Sequence, residues 1–154
     1  MSPQRHQSEA TLRAALAKTF AAPFVTGLGI VLIDVAPGTC TTEKLVTAGD
    51  LQQHGAVHAG VISTIADHTA GGAVCTRLAE DLGVVTIALD VRFIRAAVAD
   101  KVRCEAEAIR VGSSVAFAEA TVKAIRDHEE RLVARASVTL AVVSWDDMAA
   151  RIRR

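Results

Sequence analysis

The sequence predicts an α+β domain in which an antiparallel sheet of about six strands wraps around one long central helix, with a short helix at the N-terminus. One segment, from Val57 to about Leu78, is long, free of Pro and has apolar residues at helical spacing. Four later segments alternate with a period of two, as strands do. Short polar connections between them favour antiparallel neighbours over helical crossovers.

The N-terminal part contributes a helix and a hairpin. Residues 8–22 carry apolar side chains at helical spacing until Pro23 ends the pattern, which predicts a short packing helix. Residues 28–35 and 39–47 are rich in β-forming residues, and Pro37-Gly38 between them suits a tight turn. We therefore expect these two runs to pair as a β-hairpin.

The remaining strands come after Gly83. They are expected at 87–93, 102–108, 116–122 and 132–140, with polar turns at Ala99-Asp100, Gly112-Ser113 and 127–130. One face of the sheet holds the central helix, and the other, which offers Thr86, Ala88 and Arg92, must be covered or kept polar. Self-association is a natural way to cover it. The helix has a single formal charge before Arg77, so we expect it to be buried nearly all round.

Length and composition narrow the class of protein. The 154 residues suit one domain, divided into an N-terminal helical extension at 1–23, a main domain at 24–144 and a C-terminal tail at 145–154. Seventeen basic residues balance seventeen acidic ones, and aromatic residues are scarce, so neither nucleic acid nor a membrane surface is an expected partner. No apolar run reaches the roughly 20 residues of a membrane helix, and no secretory signal is recognisable.

The three cysteines indicate the compartment. Cys40, Cys75 and Cys104 are an odd number at wide spacings with no CxxC, which fits neither a disulfide framework nor a zinc site. We interpret them as buried free thiols in a reducing cytoplasm.

Asp67 is the first candidate for chemistry. It lies alone on an otherwise uncharged helix, where burying a carboxylate costs several kcal/mol unless hydrogen bonds or an opposite charge compensate it. A structural role, such as an ion pair with Arg92 or Arg95, explains this residue as well as catalysis does. Asp67 by itself therefore leaves both interpretations open.

The loop before the helix is the second candidate. Residues 51–60 lead directly into the helix, whose first N–H groups are unpaired and carry a partial positive charge. Small side chains at Ala59 and Gly60 would let a ligand carbonyl approach those donors, as acyl transfer requires. Tight packing against the sheet is the more common use of such residues.

Together, Gln52-x-x-Gly55-x-x-His58-Ala59-Gly60 and Ala66-Asp67 resemble the hotdog-fold acyl-CoA thioesterases typified by the phenylacetate-degradation (PaaI-like) family. That pattern reads roughly Asn-x-x-Gly-x-x-His-Gly-Gly, then Leu-Ala-Asp on the central helix. The resemblance continues through 86–96, 111–114 and 132–136 and covers about residues 28–143. It implies a hotdog fold and hydrolysis of an acyl-CoA to free CoA and a carboxylic acid.

The resemblance also implies roles for individual residues. Asp67 is the general base or the nucleophile, and the backbone N–H of Ala59, with Gly60 beside it, forms the oxyanion hole. His58 shapes the oxyanion loop, and Thr86 matches a Ser that, in related enzymes, helps to hold the water molecule that attacks the thioester. Gln52 takes the place of the family Asn, which orients the thioester or the water.

The sequence departs from the family pattern at two positions, and the resemblance also implies that the chain forms a homo-oligomer. Gln replaces Asn at Gln52, where Gln53 is an alternative equivalent, and Ala59 stands where the family prefers Gly. A β-carbon at Ala59 still lets its N–H point at a carbonyl if the local φ is negative. The resemblance implies a homodimer or homotetramer with sites between subunits, so that Asp67 of one chain faces the loop of its partner. Coenzyme A is then part of the substrate, and no separate cofactor is expected.

Other interpretations compete with this one. His54 and His58 are four residues apart, but no Glu follows as in the helical zinc motif, so a metal site is not expected. Ser63 lacks the Gly-x-Ser-x-Gly turn of a serine hydrolase. The main rival is a non-catalytic hotdog module that binds acyl-CoA or a protein partner, for which the changes at Gln52 and Ala59 would argue.

Overall fold

A computed structural model describes residues 8–153 of the chain. Its elements are α1 (Glu9–Phe20), α2 (Pro23–Leu28), β1 (Ile30–Ala36), β2 (Thr39–Leu45), a 3₁₀ turn (Ala48–Asp50), α3 (Ala59–Cys75), β3 (Leu82–Phe93), β4 (Lys101–Val111), β5 (Val115–Arg126), β6 (Glu129–Ser144) and α4 (Trp145–Ile152). The six strands form one antiparallel sheet in the order β1-β2-β4-β5-β6-β3, curved around α3. This is the predicted α+β architecture.

The core lies between α3 and the inner face of the sheet. The helix contributes side chains that are at most 2% exposed: Ile62, Ile65, Ala66, Ala70, Ala73 and Val74. Gly72 lets the helix come close to the sheet, because a Cβ at this position would lie 3.0 Å from Sγ of Cys40 on β2. Past its first turn α3 has no fully exposed residue, but its side at Ser63, Asp67 and Gly71 is only half-buried, so the helix is less enclosed than expected.

The N-terminal segment differs from the prediction in one respect. The expected helix at 8–22 is α1, but Pro23 begins a second helix instead of only ending the first. Proline suits the first position of a helix because its fixed φ is helical and its missing N–H needs no partner there. Gly29, at φ +70°, ends α2 in the left-handed conformation that glycine adopts easily. The predicted hairpin is confirmed as β1 and β2, starting at Ile30.

The prediction that the two strands joined by Ala99-Asp100 are neighbours in the sheet is wrong. β3 pairs with β6 and forms an edge of the sheet, whereas β4 lies between β2 and β5. Residues 94–100 therefore cross the domain, and they are held by backbone hydrogen bonds such as Val57 N to Ala97 O (2.9 Å) and Asp100 N to Ile125 O (3.0 Å). A short polar segment looks the same in sequence whether it joins neighbouring strands or distant ones.

A register break in β3 determines which residues face the helix. The pairing with β6 shifts between Thr86, opposite buried Leu140, and Ala88, opposite Thr139. Thr86 therefore lies on the helix side, and not with Ala88 and Arg92 on the outer face as the alternation predicted. The division at 1–23, 24–144 and 145–154 stays a prediction, although residues 145–152 form α4. Within residues 8–153, no helix has both the length and the apolarity needed to cross a membrane.

Candidate active site

The N-terminus of α3 presents one free backbone donor. His58 is the N-cap, and its Nδ1 accepts a hydrogen bond from the N–H of Gly60 at 2.9 Å. The carbonyl of His58 accepts from Val61 N at 3.0 Å and Ile62 N at 3.3 Å. In residues 8–153 the N–H of Ala59 has no such acceptor. Of the two expected oxyanion donors, the N–H of Gly60 is thus already paired within the chain, whereas that of Ala59, at the positive end of the helix, is free in the described residues.

Glycine at position 60 makes this cap possible. A Cβ there would lie 3.0 Å from His58 Nδ1 and 3.4 Å from its Cε1, so a side chain at this position would require the imidazole to shift by a few tenths of an ångström. Ala59 itself has a negative φ, because Asp127 and His128 are the non-glycine residues with positive φ in residues 8–153. The condition for a usable N–H at Ala59 is met.

The loop before α3 is a tight, hydrogen-bonded turn. Gln52 N donates to Ala56 O at 2.8 Å and Gly55, at φ +84°, donates from its N–H to Gln52 O at 3.0 Å. The side-chain oxygen of Gln52 accepts from His54 N, and within residues 8–153 the Gln52 NH₂ group donates to no protein acceptor. His58 N donates to Asp50 O at 2.7 Å and so fixes the start of the helix.

A cavity of about 390 Å³ lies beside this loop. Gln52 and Ala59 line it together with mainly apolar groups: Ala56, Val57, Ile62, Phe93, Ile94, Arg95, Ala96, Ala97 and Val133. Gln53, the alternative to Gln52 in the sequence, is exposed and does not line this cavity. A polar donor pair at the wall of an apolar cavity suits a carbonyl compound with an apolar chain.

Asp67 forms the second part of the site, in the middle of α3. Its carboxylate is half-buried and accepts a hydrogen bond from Thr86 Oγ1 at 2.8 Å. It forms no salt bridge within residues 8–153: Arg92 lies 3.9 Å from Asp90, and Arg95 lines the cavity. The ion pair that would have explained Asp67 structurally is therefore absent from the described chain.

His68, next to Asp67, is a packing residue. Its ring meets Phe20 edge-to-face with the ring centroids 4.6 Å apart, and its buried Nε2 has no hydrogen-bond partner in the described chain. Burial lowers the pKa of His68, against the opposing effect of the Asp67 carboxylate. A neutral imidazole enclosed in this way is not a group that reaches a ligand. Within residues 8–153, no three His, Cys, Asp or Glu side chains come together as a metal site.

The two parts of the site are separate within one chain. Asp67 lies eight positions after Ala59 in the helix, which at 1.5 Å per residue is ~12 Å along the axis. Gln52, His58, Ala59 and Gly60 therefore cluster at the start of α3, while Asp67 and Thr86 cluster in its middle. No single carbonyl group can contact both clusters of the same chain.

The sequence matches a known family model, and the fold is similar to that of several solved structures. Residues 54–134 match the family model of the thioesterase superfamily. A thioesterase family protein from Silicibacter pomeroyi is 30% identical, with a TM-score of 0.84 over 86% of this chain and 98% of that one. PaaI of Escherichia coli, from the phenylacetic acid degradation operon, is 21% identical, with a TM-score of 0.74 over 84% of this chain and 91% of that one.

The thioesterase HI1161 of Haemophilus influenzae is 22% identical, with a TM-score of 0.75 over 84% of this chain and 88% of that one. A search of the curated proteins finds no match. The family match covers just over half of the chain, and the curved sheet around α3 is the hotdog fold. The chain therefore belongs to the thioesterase superfamily, as a hotdog-fold thioester hydrolase.

Proposed function

We propose that this chain hydrolyses acyl-CoA thioesters, with Asp67 as the catalytic carboxylate and the N–H of Ala59 as the oxyanion donor. The observation that carries the proposal is the environment of Asp67: a half-buried carboxylate bonded to Thr86 and not neutralised by a cation. Such a group is available to accept a proton or to attack a carbonyl. The apolar cavity beside Ala59 supports an acyl or pantetheine chain as its occupant.

In the first form of the mechanism, Asp67 is a general base. It takes a proton from a water molecule that Thr86 and Gln52 help to orient, and the oxygen of that water attacks the thioester carbonyl. The carbonyl oxygen becomes an oxyanion that the Ala59 N–H stabilises. When the tetrahedral intermediate collapses, the C–S bond breaks and the CoA thiolate receives the proton, leaving a carboxylic acid.

In the second form, Asp67 is the nucleophile. A carboxylate oxygen attacks the same carbonyl, the C–S bond breaks, and CoA leaves from a mixed anhydride that water then hydrolyses. Both forms use the same donor and the same carboxylate. They remain alternatives in this proposal.

The ~12 Å between Ala59 and Asp67 supports an active site shared by two copies of the chain. β3 is an edge strand of 12 residues, and residues 85–90 are exposed on both of its faces. Unpaired N–H and C=O groups along such an edge invite pairing with a second strand. We propose that β3 pairs with β3 of a second copy, so that Asp67 of one chain meets the Ala59 donor of the other, in a homodimer or a homotetramer built from such dimers.

Coenzyme A enters this scheme as part of the substrate, and the chemistry described needs no separate cofactor. We propose that the reaction takes place in the cytoplasm. Cys40, Cys75 and Cys104 are free thiols, which is compatible with a reducing compartment.

Release of free thiol from a panel of short, long and aromatic acyl-CoAs tests the proposal. Asp67→Asn keeps the shape of the side chain and removes its charge, and kcat should fall by about 10²- to 10⁴-fold, the usual contribution of a general base. Asp34→Asn is the matched control, because Asp34 is an exposed carboxylate on β1, at the opposite edge of the sheet from β3.

Three outcomes are distinct. Hydrolysis that is lost in Asp67→Asn and kept in Asp34→Asn supports the mechanism. Hydrolysis that survives in Asp67→Asn removes Asp67 from it. If the wild type hydrolyses no thioester but binds acyl-CoA, the protein is a non-catalytic acyl-CoA binding module.

A further inference from the structure

A buried ion pair lies beneath the loop that leads into α3. Lys44 Nζ, on β2, is 2.9 Å from Asp50 Oδ2, and the two side chains are 3% and 6% exposed. Lys44 points to the inner face of the sheet, whereas its neighbour Glu43 points outward to Lys101 and Arg103. The pair is thus separate from the charged network on the outer face.

Further hydrogen bonds hold both members of the pair. Besides Asp50, the ammonium group of Lys44 donates to the carbonyl of Leu28, at the end of α2, and to that of Leu45 at 3.3 Å, which uses its three donors. Asp50 Oδ2 also accepts from Thr47 N at 2.7 Å and Thr47 Oγ1 at 2.9 Å. Burial raises the pKa of Asp50, but these bonds lower it by more, so the carboxylate is charged at neutral pH.

Stability alone does not account for such a pair. Removing two charges from water costs several kcal/mol each, and replacing a buried ion pair by apolar residues is often neutral or stabilising. A buried network of several hydrogen bonds does, however, hold its members in one arrangement. We therefore consider which part of the chain this network holds in place.

The network holds the start of α3. The backbone carbonyl of Asp50 accepts from His58 N at 2.7 Å, and His58 in turn caps Gly60 through Nδ1 at 2.9 Å. Asp50 is thus one hydrogen bond away from the residue that precedes the free donor at Ala59. The loop is tied to β2 and α2 through the Lys44 side chain and to the helix through its own backbone.

We propose that Lys44 and Asp50 are positioning residues, which fix the loop and so direct the N–H of Ala59 at the substrate carbonyl. The predicted effect on rate rests on the proposed function, whereas the predicted effect on the loop does not. Neither residue touches substrate in this scheme.

Four variants test the inference. Asp50→Asn leaves a buried lysine unpaired, and Lys44→Met/Asp50→Asn removes both charges and relieves that cost. Thr47→Val, on the exposed loop, removes the two hydrogen bonds of the Thr47 hydroxyl with Asp50, one to its carboxylate and one from its N–H, and should fold in any event. Glu43→Gln is the control, because it breaks an ion pair at the adjacent position of β2 on the other face.

Two measurements are needed. The first is the ¹H–¹⁵N spectrum, in which the amide signals of His58, Ala59 and Gly60 should move in the three loop variants and stay in place in Glu43→Gln. The second is steady-state thiol release with a substrate that the wild type hydrolyses. There kcat should fall ~10-fold or more in both Asp50 variants with a smaller change in KM, because a misplaced oxyanion donor weakens mainly the transition state.

The outcomes separate this inference from the proposed function. A double variant that melts at the wild-type temperature yet has shifted Ala59 and Gly60 amides and a low kcat supports a positioning role. Unchanged amides and unchanged kcat in the folded variants overturn it. If the wild type releases no thiol, the proposed function fails, and the amide spectra alone still decide whether Lys44 and Asp50 hold the loop.

Discussion

Replacing Ala59 with Pro should remove the oxyanion donor without disturbing the helix. Ala59 is the first residue of α3, where proline is well tolerated because its φ is helical and its missing N–H has no helical partner. His58, with φ −61° and ψ 138°, already has the extended conformation that a residue before proline prefers. The chain should therefore fold as the wild type does.

The size of the effect follows from the hydrogen bonds in the first turn. The N–H groups of Gly60, Val61 and Ile62 are all paired with His58, so Ala59→Pro removes the one free donor of that turn in the described chain. Loss of one oxyanion donor costs ~10²- to 10³-fold in kcat, or ~2.7–4 kcal/mol. The donor acts mainly in the transition state, so kcat should fall more than KM rises.

Steady-state thiol release and thermal unfolding of the same samples check this prediction. Ala59→Gly keeps the N–H and should keep activity. Glu9→Pro places proline at the equivalent first position of α1 and should keep activity, with at most the small loss of melting temperature expected from removing the exposed Glu9–Arg13 ion pair. A folded Ala59→Pro variant with near wild-type kcat would refute Ala59 as the oxyanion donor.

The remaining predictions concern the carboxylate, the assembly, the thiols and acid stability. Thr86→Val should lower kcat ~10-fold or more without unfolding the protein, since a hydrogen bond to a charged group contributes about 1.5–3 kcal/mol. Refolding Asp67→Asn and Ala59→Pro together should restore about a quarter of wild-type activity, because half of the dimers are mixed and each has one intact site; no recovery would contradict a shared site. Burial raises the pKa of all three cysteine thiols to about 11 or 12, so the native protein should react slowly with a thiol reagent and rapidly once unfolded. Burial raises the pKa of Asp50 and the bonds that it accepts lower it by more, so its contribution to stability should be lost as pH falls below ~4; melting temperatures between pH 7 and 3 should fall less steeply in Asp50→Asn.

Periodicity predicted the elements of this fold because the side chains of a strand or helix report directly which face is buried. It failed where a glycine or a non-local contact determines where a strand begins. β3 starts at Leu82, earlier than the alternation indicated, and Gly83 in that strand has no side chain to show a face. The ring of Trp145 occupies that space, 2.2 Å from where a Cβ of Gly83 would lie. A packing partner 62 residues away leaves no local signal.

The candidate site was predictable to different degrees. The motif around His58 and Asp67 made these residues candidates through a family resemblance, and their catalytic roles stay a prediction. The buried ion pair of Lys44 and Asp50 was not predicted. A lysine in a strand is ordinarily solvent-exposed, and the burial of Lys44 depends on a loop that returns over it. A weak signal existed in Thr47-x-x-Asp50, the spacing of a capping box, which the 3₁₀ turn uses.

The rigidity of α3 links the assembly of this protein to its chemistry. The core side of the helix is fully buried, so α3 cannot bend to bring Asp67 toward Ala59, and the ~12 Å between them is fixed. Under the proposed mechanism a second copy must supply the missing group, and the exposed edge of β3 offers the place for it to bind. It follows that thioester hydrolysis should depend on protein concentration wherever the dimer dissociates, with activity per chain falling on dilution while the fold of each chain persists.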